Sequence, residues 1–467
     1  MKNKYSLKTH HKRILADTLT PVSIYLKIRD RFSNAIFLES SEYGASDNSF
    51  SYICFNPIAD IKVQHENIVK NLPDGSQETI VISDGVDVAD EIHNFAQQFD
   101  SEKSPHQFIN NGLFGYISYE AVRYFEDIAL HKKEGDLDIP DIYYAVYQNI
   151  IAINLFNNEA YVFSHNYESQ SNLEEVLKII TAKNFATYAF QKEGALSSNM
   201  TDEDFMDLVK LGKKHCQRGD VFQIVLSRRF SQQFKGDDFN LYRALRSINP
   251  SPYLFYFDYG NFKIFGSSPE AQIVVKNEIA EIHPIAGTFR RTGDDKQDKA
   301  LALKLSADQK ENSEHVMLVD LARNDLSRNG SDVKVVNYRE VQFYSHVIHL
   351  VSKVTGKKKP EIPTTRIVAD TFPAGTLSGA PKHRAMQLIE EYEKTSRAFY
   401  GGAIGYMGFN GNFNHAIIIR SFLSKDQQLH LQAGAGIVSE SVPESELQEV
   451  FNKTSALTSA LEIAENI

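Results

Sequence analysis

The stretch MGFNGNFNHAIIIRSFLS, residues 407–424, shows most directly how this chain folds. Two hydrophobic runs flank Asn410-Gly411, a dipeptide that strongly favours the turn of a β-hairpin. Similar arrangements recur around Gly260-Asn261 and around Asn157-Asn158. Antiparallel hairpins are therefore the predicted unit of the fold.

Helices are predicted between these hairpins, over residues 308–322, 381–392 and 444–465. The alternation of polar and apolar residues in VFQIVLSRRF predicts a strand with Phe222, Ile224 and Leu226 on one side. Hairpins interleaved with amphipathic helices indicate an α+β fold of large antiparallel sheets with helices on one face. A doubly wound parallel sheet is not expected.

The chain is expected to divide into two domains, residues 1–195 and residues 196–467. The small, polar segment 191–200 is interpreted as the linker between them. Thr201 is then expected to cap a helix, with Asp204 completing a weak variant of the capping box.

Composition excludes several classes of protein. The 467 residues carry a net charge of −10, which gives no basis for general nucleic-acid binding. Cys54 and Cys216 lack metal-type spacing and fit a reducing compartment. The basic residues 1–13 lack the apolar run of a secretory signal, and no apolar stretch is long enough to span a bilayer. We expect a cytoplasmic protein.

Two segments each place a pair of glutamates three residues apart. Glu311 and Glu314 lie in ENSEHVMLVDLARND, and Glu446 and Glu449 lie in VPESELQEVFNK. Side chains at i and i+3 share one side of a helix. If the two helices face each other, four carboxylates converge, and such a cluster suits a hard cation such as Mg²⁺. The alternative is two solvated helix faces, with Glu449 and Lys453 as an ordinary i,i+4 pair.

Three glycine-bearing segments are candidates for binding an anion through main-chain N–H groups. PAGTLSGAPKHRAMQLI places small residues before Pro381, the expected first residue of a helix. QAGAGIV contains residues 434–436 after a strand, and HPIAGTFR places Gly287 and Thr288 at a strand end. Each segment is alternatively an ordinary tight turn.

Several single residues are further candidates. Arg420 lies in the hydrophobic run AIIIRSFL, where a buried guanidinium requires a carboxylate from the protein or from a ligand. Strand histidines such as His346 and His349 are more often structural than catalytic, and Glu270 is alternatively a surface-loop carboxylate. Together the candidates suit a small anionic substrate held by Mg²⁺ at one end and by arginine and amides at the other. Neither a Walker-type phosphate loop nor a dinucleotide fingerprint is present.

These segments closely resemble the chorismate-utilising enzymes, and among them the large subunits of the anthranilate synthases. The resemblance spans nearly the whole chain and rests on the ordered motifs NPSPYLFYF, FGSSPE, HPIAGT, EHVMLVDLARND, SHVIHLVS, AGTLSGAPKHRAMQLI, YGGAIGY and GAGIVSESVPESE. It implies a four-layer sandwich of antiparallel sheets with helices on the outer faces. It also implies Mg²⁺-dependent conversion of chorismate and ammonia to anthranilate and pyruvate, the first step of tryptophan biosynthesis.

The resemblance implies roles for the acidic residues. Glu314 and Glu449 would bind the Mg²⁺ that holds one chorismate carboxylate, with Glu311 and Glu446 as close second ligands, directly or through water. Glu270 would protonate the departing hydroxyl at carbon 4, which requires a carboxyl that stays protonated at working pH.

The resemblance also implies the rest of the substrate site. Arg420, Tyr400 and the main chain of Gly434, Ala435 and Gly436 would hold the other carboxylate. Gly287 and Thr288 would line the ring site. His346 and Thr376 would assist the later loss of pyruvate.

Two positions favour ammonia as the nucleophile. Isochorismate and salicylate synthases carry a water-activating lysine where this chain has Gln223, and aminodeoxychorismate synthases typically carry a nucleophilic lysine where it has Ala286. The alternatives that remain are component I of aminodeoxychorismate synthase and a catalytically silent regulator that binds chorismate or tryptophan.

The resemblance further implies a partner and an inhibitor. Neither cysteine resembles a glutaminase nucleophile, so a separate glutamine amidotransferase subunit is expected, in a hetero-oligomer. Tryptophan would inhibit by binding at a site that contains Ser40, Pro252, Tyr253 and Leu254. Relatives usually carry a basic residue shortly after Ser40, where this chain has Ser49, and this difference bears on the affinity for the inhibitor.

Overall fold

The computed structural model describes residues 5–40, 50–102, 105–133, 135–343 and 347–467, and within them hairpins alternate with helices. The strands are β1 (Tyr5–Leu15), β2 (Ile36–Glu39), β3 (Phe50–Gln64), β4 (Asn67–Asn71), β5 (Gln77–Val81), β6 (Phe99–Ser101), β7 (Leu113–Ile117), β8 (Ile142–Asn154), β9 (Glu159–Asn166), β10 (Phe190–Ser198), β11 (Gln223–Gly236), β12 (Tyr253–Asp258), β13 (Phe262–Ser268), β14 (Ala271–Lys276), β15 (Ile279–Ile282), β16 (Ile285–Arg290), β17 (Gly330–Phe343), β18 (Val347–Lys358), β19 (Gly379–Ala380), β20 (Ala403–Met407), β21 (Phe413–Ile417), β22 (Ser421–Lys425) and β23 (Gln428–Ile437).

The helices lie mostly between hairpins. They are α1 (Pro21–Ile28), α2 (Val88–Ala96), α3 (Leu173–Thr181), α4 (Asp202–Arg218), α5 (Asp238–Ile248), α6 (Asp295–Ala307), α7 (Gln309–Asn329), α8 (Thr364–Thr371), α9 (Gly375–Ser378), α10 (Lys382–Tyr392) and α11 (Pro443–Ala464), with a 3₁₀ helix at Tyr119–Tyr124. Among the described residues, no helix is both long and apolar enough to cross a membrane.

Antiparallel pairing organises most strands into two large sheets, and the short β6 pairs in parallel with β1. Sheet I has the order β1-β9-β8-β3-β2-β12-β13-β22-β23-β11-β10, and β19 also pairs with β11. Sheet II has the order β5-β4-β3-β8-β7-β20-β21-β14-β15-β18, and β16 and β17 also pair with β18. The long strands β3 and β8 run through both sheets.

The three largest hydrophobic cores of the described residues stack these elements into four layers. One core packs α1, α3, α4, α5 and α11 against sheet I, and a second packs α2, α7 and α8 against sheet II. The third, which includes Cys54 and Phe255, lies between the two sheets and is built largely from strand residues. Helices thus cover both outer faces. The predicted α+β fold, a sandwich of large antiparallel sheets with outer helices, is confirmed.

Each sheet contains strands from both sides of Ala195. Glu39 of β2 pairs with Leu254 of β12 in sheet I, and Gly115 of β7 pairs with Gly405 of β20 in sheet II. The division into domains 1–195 and 196–467 stays a prediction. The linker assigned to residues 191–200 is wrong, because this segment forms most of β10. In the described chain β10 pairs on one side only, with β11, and such an edge strand tolerates small polar residues.

Most of the turns and helix caps predicted from local sequence are present in the structure. Thr201 and Asp204 form the predicted capping box, and each side chain accepts the other residue's main-chain N–H. The hairpins around Asn158 and Gly260 also form, and both residues have positive φ. The hairpin at Asn410-Gly411 forms with a five-residue loop rather than the expected two-residue loop, since Met407 pairs with Phe413.

Other predicted boundaries need correction. Pro381 is the N-cap of α10 rather than its first residue, and α7 extends to Asn329. Phe222 precedes β11 and is 74% exposed, whereas Ile224 and Leu226 are fully buried. The run AIIIRSFL is not one strand. The chain passes there from β21 in sheet II to β22 in sheet I, and Arg420 makes the turn with φ 50°.

Candidate active site

A buried carboxyl marks the centre of the site. Glu270 lies in the connection between β13 and β14, where Ile417 donates its main-chain N–H to the carbonyl of Glu270 at 2.9 Å. Thr376, on the short helix α9, donates its hydroxyl to Glu270 Oε1 at 3.1 Å. Burial raises the pKa of Glu270 to about 8, while the Thr376 hydrogen bond and the charge of Lys453 lower it. This carboxyl therefore stays largely protonated at neutral pH and can act as a general acid.

Gly434 and Gly436 form one wall of the site inside β23. The prediction that residues 434–436 follow a strand is wrong, because they pair with Ser227, Leu226 and Val225 of β11. An added Cβ would lie 3.1 Å from the Tyr400 hydroxyl at Gly434, and 2.3 Å from Gln223 Nε2 at Gly436. Side chains alternate along a strand, and Ala435 accordingly packs in the core on the opposite face. Only its main chain is available to a ligand at this wall.

Two acidic helices reach this wall from different directions. On α7, Glu314 Oε1 accepts a hydrogen bond from Gln223 Nε2 at 3.2 Å. On α11, Glu449 pairs with Lys453 at 2.6 Å, and Lys453 Nζ also donates to the carbonyl of Gly434 at 2.9 Å. The predicted i,i+4 pair therefore exists, and it is part of the site rather than an isolated surface pair.

The glutamates of α7 and α11 suit Mg²⁺ only if one or two of them, rather than three or more, bind the ion. In the part of the chain that the structure describes, no group of three or more His, Cys, Asp or Glu side chains is placed to hold a metal ion. Mg²⁺ is commonly bound by one or two protein carboxylates together with substrate oxygens and water. Glu314 and Glu449 fit that requirement as a pair, because Glu314 is linked to Gly436 through Gln223 and Glu449 to Gly434 through Lys453. The convergence of four carboxylates stays a prediction.

Gly287 lies at a β-bulge of β16, opposite β18. Its φ is +69°, and an added Cβ would lie 2.5 Å from Leu305 and 3.1 Å from Glu311 Oε2. A side chain is excluded there, because L residues avoid this backbone region and the space is filled. His349 Nδ1 lies 2.8 Å from the Gly287 carbonyl. The bulge thus brings the main chain of β16 next to the first acidic residue of α7.

Arg420 lies near Tyr400 and Glu449, and its role as the anion-binding group stays a prediction. Burial lowers its pKa, and the opposing influences are Tyr400 and Glu449. No described residue forms a hydrogen bond or ion pair with its guanidinium within 4 Å. The sequence analysis expected the carboxylate partner of Arg420 to come from the protein or from a ligand. Since no described side chain pairs with it directly, a ligand carboxylate is the remaining partner.

Tyr400 is held in place by a buried ion pair that the sequence did not indicate. Arg397 is 1% exposed and donates to both carboxylate oxygens of Glu393, at 2.7 and 2.8 Å. Its guanidinium lies over the rings of Tyr119 and Tyr400. Burial raises the pKa of Tyr400 to about 12, so its hydroxyl stays protonated and can donate to an anion.

The residues predicted to bind an inhibitor also lie together, apart from this wall. Ser40 follows β2, which pairs with β12, and Glu39 is directly opposite Leu254. Glu39 accepts hydrogen bonds from Tyr242 at 2.9 Å and from Arg246 at 2.6 and 2.8 Å. Tyr253 is the first residue of β12, and Pro252 directly precedes it. The proximity is as expected, and tryptophan binding stays a prediction.

Some predicted residues lie outside the described residues. These are His346 and Ser49, and the description of Thr288 stops at its backbone. Of the others, Tyr400, Glu314 and Glu449 lie around Gly434 and Gly436, directly or through Gln223 and Lys453. The residues of the predicted inhibitor site lie together at β2 and β12 instead. Sequence reasoning missed the second contact of Lys453 and the role of Arg397.

The fold and site place the chain in a known class. It belongs to the family of chorismate binding enzymes, whose sequence profile matches residues 34–459. The whole chain is 37% identical to anthranilate synthase component 1 of Aquifex aeolicus, of which it covers 97%. It is also 37% identical to the protein of the same name from Lactococcus lactis, over 96% of this chain and 98% of that relative.

Solved structures agree with this membership. Anthranilate synthase component I from Streptococcus pneumoniae is 33% identical and superimposes with a TM-score of 0.76, over 96% of this chain and 99% of that one. The menaquinone-specific isochorismate synthase MenF from Escherichia coli gives a TM-score of 0.74 at 18% identity, over 98% of this chain and 95% of that one. The second likeness concerns the fold alone.

Proposed function

We propose that this protein converts chorismate and ammonia into anthranilate and pyruvate, as the chorismate-converting component of an anthranilate synthase. The observation that carries the proposal is the match, along essentially the full chain, to relatives named anthranilate synthase component 1. Anthranilate formation is a lyase reaction of aromatic amino acid biosynthesis. The buried carboxyl of Glu270 and its contact with Thr376 support the first step.

The first step is addition of ammonia with loss of water. A C–N bond forms at carbon 2 of the ring, and the C–O bond at carbon 4 breaks. The leaving hydroxyl needs a proton, and Glu270 can donate it because burial raises the pKa of its carboxyl to about 8. Thr376 orients the carboxyl by donating to its Oε1. Loss of pyruvate from the intermediate then yields the aromatic amine, and His346 is proposed to assist it.

The choice of nucleophile follows from two side chains. Gln223 is an amide that donates to Glu314, and an amide cannot serve as a general base for water. Ala286 is 5% exposed on β16 and offers no amine that could attack chorismate. Ammonia supplies its own lone pair and needs neither group. These residues favour anthranilate over isochorismate or aminodeoxychorismate.

The two carboxylates of the substrate require positive charge at two places. Arg420 would bind one carboxylate, assisted by the hydroxyl of Tyr400 and the main chain of residues 434–436. Mg²⁺ held by Glu314 and Glu449 would neutralise the other carboxylate, with Glu311 and Glu446 close by. Oxygen ligands are those that Mg²⁺ prefers.

We further propose a partner and an inhibitor. Burial raises the pKa of both thiols, that of Cys216 to about 11, so neither is a reactive thiolate that could hydrolyse glutamine. A separate glutamine amidotransferase would therefore supply ammonia. Tryptophan would bind beside Ser40 and Tyr253 and lower the activity.

Product identification tests the proposal. The purified protein is incubated with chorismate, MgCl₂ and ammonium chloride, and the products are separated by chromatography. We expect anthranilate and pyruvate in equal amounts. Isochorismate, a 4-amino product, or binding of chorismate without turnover would each contradict the proposal and support one of the alternatives.

A further inference from the structure

A buried ion pair lies behind the candidate active site. Arg397 is 1% exposed and Glu393 is 4% exposed. The guanidinium donates from Nε to Oε2 of the carboxylate at 2.8 Å and from Nη2 to Oε1 at 2.7 Å. Taking two charges out of water is costly, and a buried ion pair contributes little net stability. A gain in stability therefore does not explain why this pair is buried here.

The guanidinium holds the short helix that carries Thr376. Arg397 Nη1 donates to the main-chain carbonyl of Leu377 at 2.6 Å. Leu377 directly follows Thr376 in α9, which has only four residues. A helix of one turn is not stable by itself, so its position depends on contacts with the rest of the chain. Arg397 supplies one such contact, next to the residue that donates to Glu270.

The same ion pair holds the strand behind the glycine wall. The guanidinium donates from Nη2 to the carbonyl of Val225 at 2.7 Å. The carboxylate accepts two hydrogen bonds from Ser227, one from its main-chain N–H and one from its hydroxyl, each at 2.8 Å. In β11, Val225 lies opposite Gly436 and Ser227 lies opposite Gly434. The two glycines are thus connected to the ion pair through the pairing of β11 with β23.

Tyr400 is the third part of the site in contact with the ion pair. The guanidinium carbon of Arg397 lies 5.6 Å from the centre of the Tyr400 ring, and Tyr400 donates its main-chain N–H to the Arg397 carbonyl at 3.0 Å. The planar guanidinium has five N–H donors in fixed directions. One arginine can therefore bond Glu393, α9 and β11 at the same time, which the single ammonium group of a lysine cannot do.

We propose that the Arg397–Glu393 pair positions the reacting groups of the site by holding α9, β11 and Tyr400 in one arrangement. This inference rests on the proposed function, since it assigns a purpose to the geometry of the same site. Both side chains are buried, so they act through the residues that they hold. Displacing a catalytic group by about 1 Å can lower a rate about a hundredfold.

Arg397→Lys tests the proposal, because lysine keeps the charge beside Glu393 but cannot also bond α9 and β11. Burial raises the pKa of Glu270, and the hydrogen bond from Thr376 lowers it. Release of α9 weakens that bond, so the carboxyl should stay protonated to higher pH. We expect kcat to fall about tenfold to a hundredfold and the alkaline limb of the pH–rate profile to move to higher pH. The limb of the Arg397→Lys/Thr376→Val variant should match that of Thr376→Val alone.

A second buried arginine provides the matched control. Arg29 donates to both carboxylate oxygens of Asp237, at 2.6 and 2.9 Å, and its side chain is 10% exposed. It lies outside the candidate active site. Arg29→Lys should lower Tm and leave the alkaline limb at the wild-type pH. The same pattern in Arg397→Lys, a lower Tm with an unshifted limb, would mean that the pair serves the fold alone and would overturn the proposal.

Thermal unfolding without substrate separates this proposal from the proposed function. Tm is measured between pH 5 and pH 9 for wild type, Glu270→Gln, Arg397→Lys and the double variant of both. The part of the fall in Tm that depends on Glu270 should extend to higher pH in the Arg397→Lys background, whichever product the enzyme forms. If Arg397→Lys fails to fold, Ser227→Ala removes one bond to Glu393 and should shift the limb and the Tm curve in the same direction by less. Curves unchanged in the folded variant would overturn the proposal.

Discussion

The hydroxyl of Thr376 donates a 3.1 Å hydrogen bond to a carboxyl of Glu270, which is 106 residues away in the sequence. The bond favours the ionised form of Glu270 and opposes the effect of burial on its pKa. The pKa of about 8 thus reflects burial, which raises it, against the Thr376 hydrogen bond and the charge of Lys453, which lower it. Changing any one of them should move the pH range in which the enzyme works.

Replacing Thr376 should shift the alkaline limb of the pH–rate profile. Thr376→Val removes the hydrogen bond that lowers the pKa of Glu270, so activity should persist to higher pH than in wild type. Thr376→Ser keeps a hydroxyl and serves as the matched control. The measurement is kcat between pH 6 and pH 10. A limb that moves to lower pH in the valine variant would contradict the assignment.

Removing the proton donor should affect both rate and stability. Glu270→Gln should lower kcat by about 10²–10⁴-fold, the usual contribution of a general acid. Folding raises the pKa of Glu270 from 4.5 to about 8, so its contribution to stability is present below pH 4.5 and is lost as the pH rises through 8. The Tm of wild type should therefore fall more between pH 5 and pH 8 than that of Glu270→Gln. Parallel Tm curves would count against a buried, titrating carboxyl.

The sequence predicted the fold class and much of the local structure, but not the contacts around the candidate site. Hairpins and the helix cap at Thr201 depend on a few neighbouring residues, so they could be predicted from the sequence. The sequence analysis placed Arg420 inside one continuous hydrophobic run, because Ile417 to Ile419 precede it directly. Only the crossing from one sheet to the other, a long-range feature, ends the strand there.

The contact between Lys453 and the Gly434 carbonyl shows the same limitation. The i,i+4 spacing from Glu449 was visible in the sequence, whereas the approach of α11 to β23 depends on packing. Arg397 was overlooked for a similar reason. The sequence alone does not indicate that Arg397 is fully buried against Glu393.

Arg420 should contribute mainly to substrate binding. Arg420→Lys keeps a charge but loses the planar, two-pronged donor that suits a carboxylate. We expect KM for chorismate to rise about tenfold to a hundredfold, with a smaller change in kcat. Arg323→Lys, on an exposed part of α7, is the control and should leave KM unchanged. A normal KM in the Arg420 variant would place the carboxylate elsewhere.

Gly287 should tolerate no side chain. Gly287→Ala combines an unfavourable φ of +69° with a Cβ only 2.5 Å from Leu305, and it should lower the free energy of unfolding by about 1–3 kcal/mol. Gly293→Ala is a matched control, because its φ is +85° but no atom lies within 4 Å of the added Cβ. Denaturant unfolding should show the larger loss for Gly287→Ala. Equal losses would mean that the bulge accommodates a methyl group.

The acidic helices should control dependence on the metal. A chelator should abolish turnover, and added MgCl₂ should restore it. Glu314→Gln and Glu449→Gln should each raise the Mg²⁺ concentration for half-maximal activity at least about tenfold. Glu444→Gln, exposed on the first turn of α11, is the control. Full activity in the presence of the chelator would refute the metal assignment.

A crystal structure with Mg²⁺ and anthranilate plus pyruvate, or a stable chorismate analogue, tests the whole arrangement most directly. It should show one ligand carboxylate on Arg420 and the other on an ion between Glu314 and Glu449, with Glu270 facing the position of the departing hydroxyl. A ligand bound away from Arg420, with both glutamates in bulk solvent and no ion between them, would contradict the account.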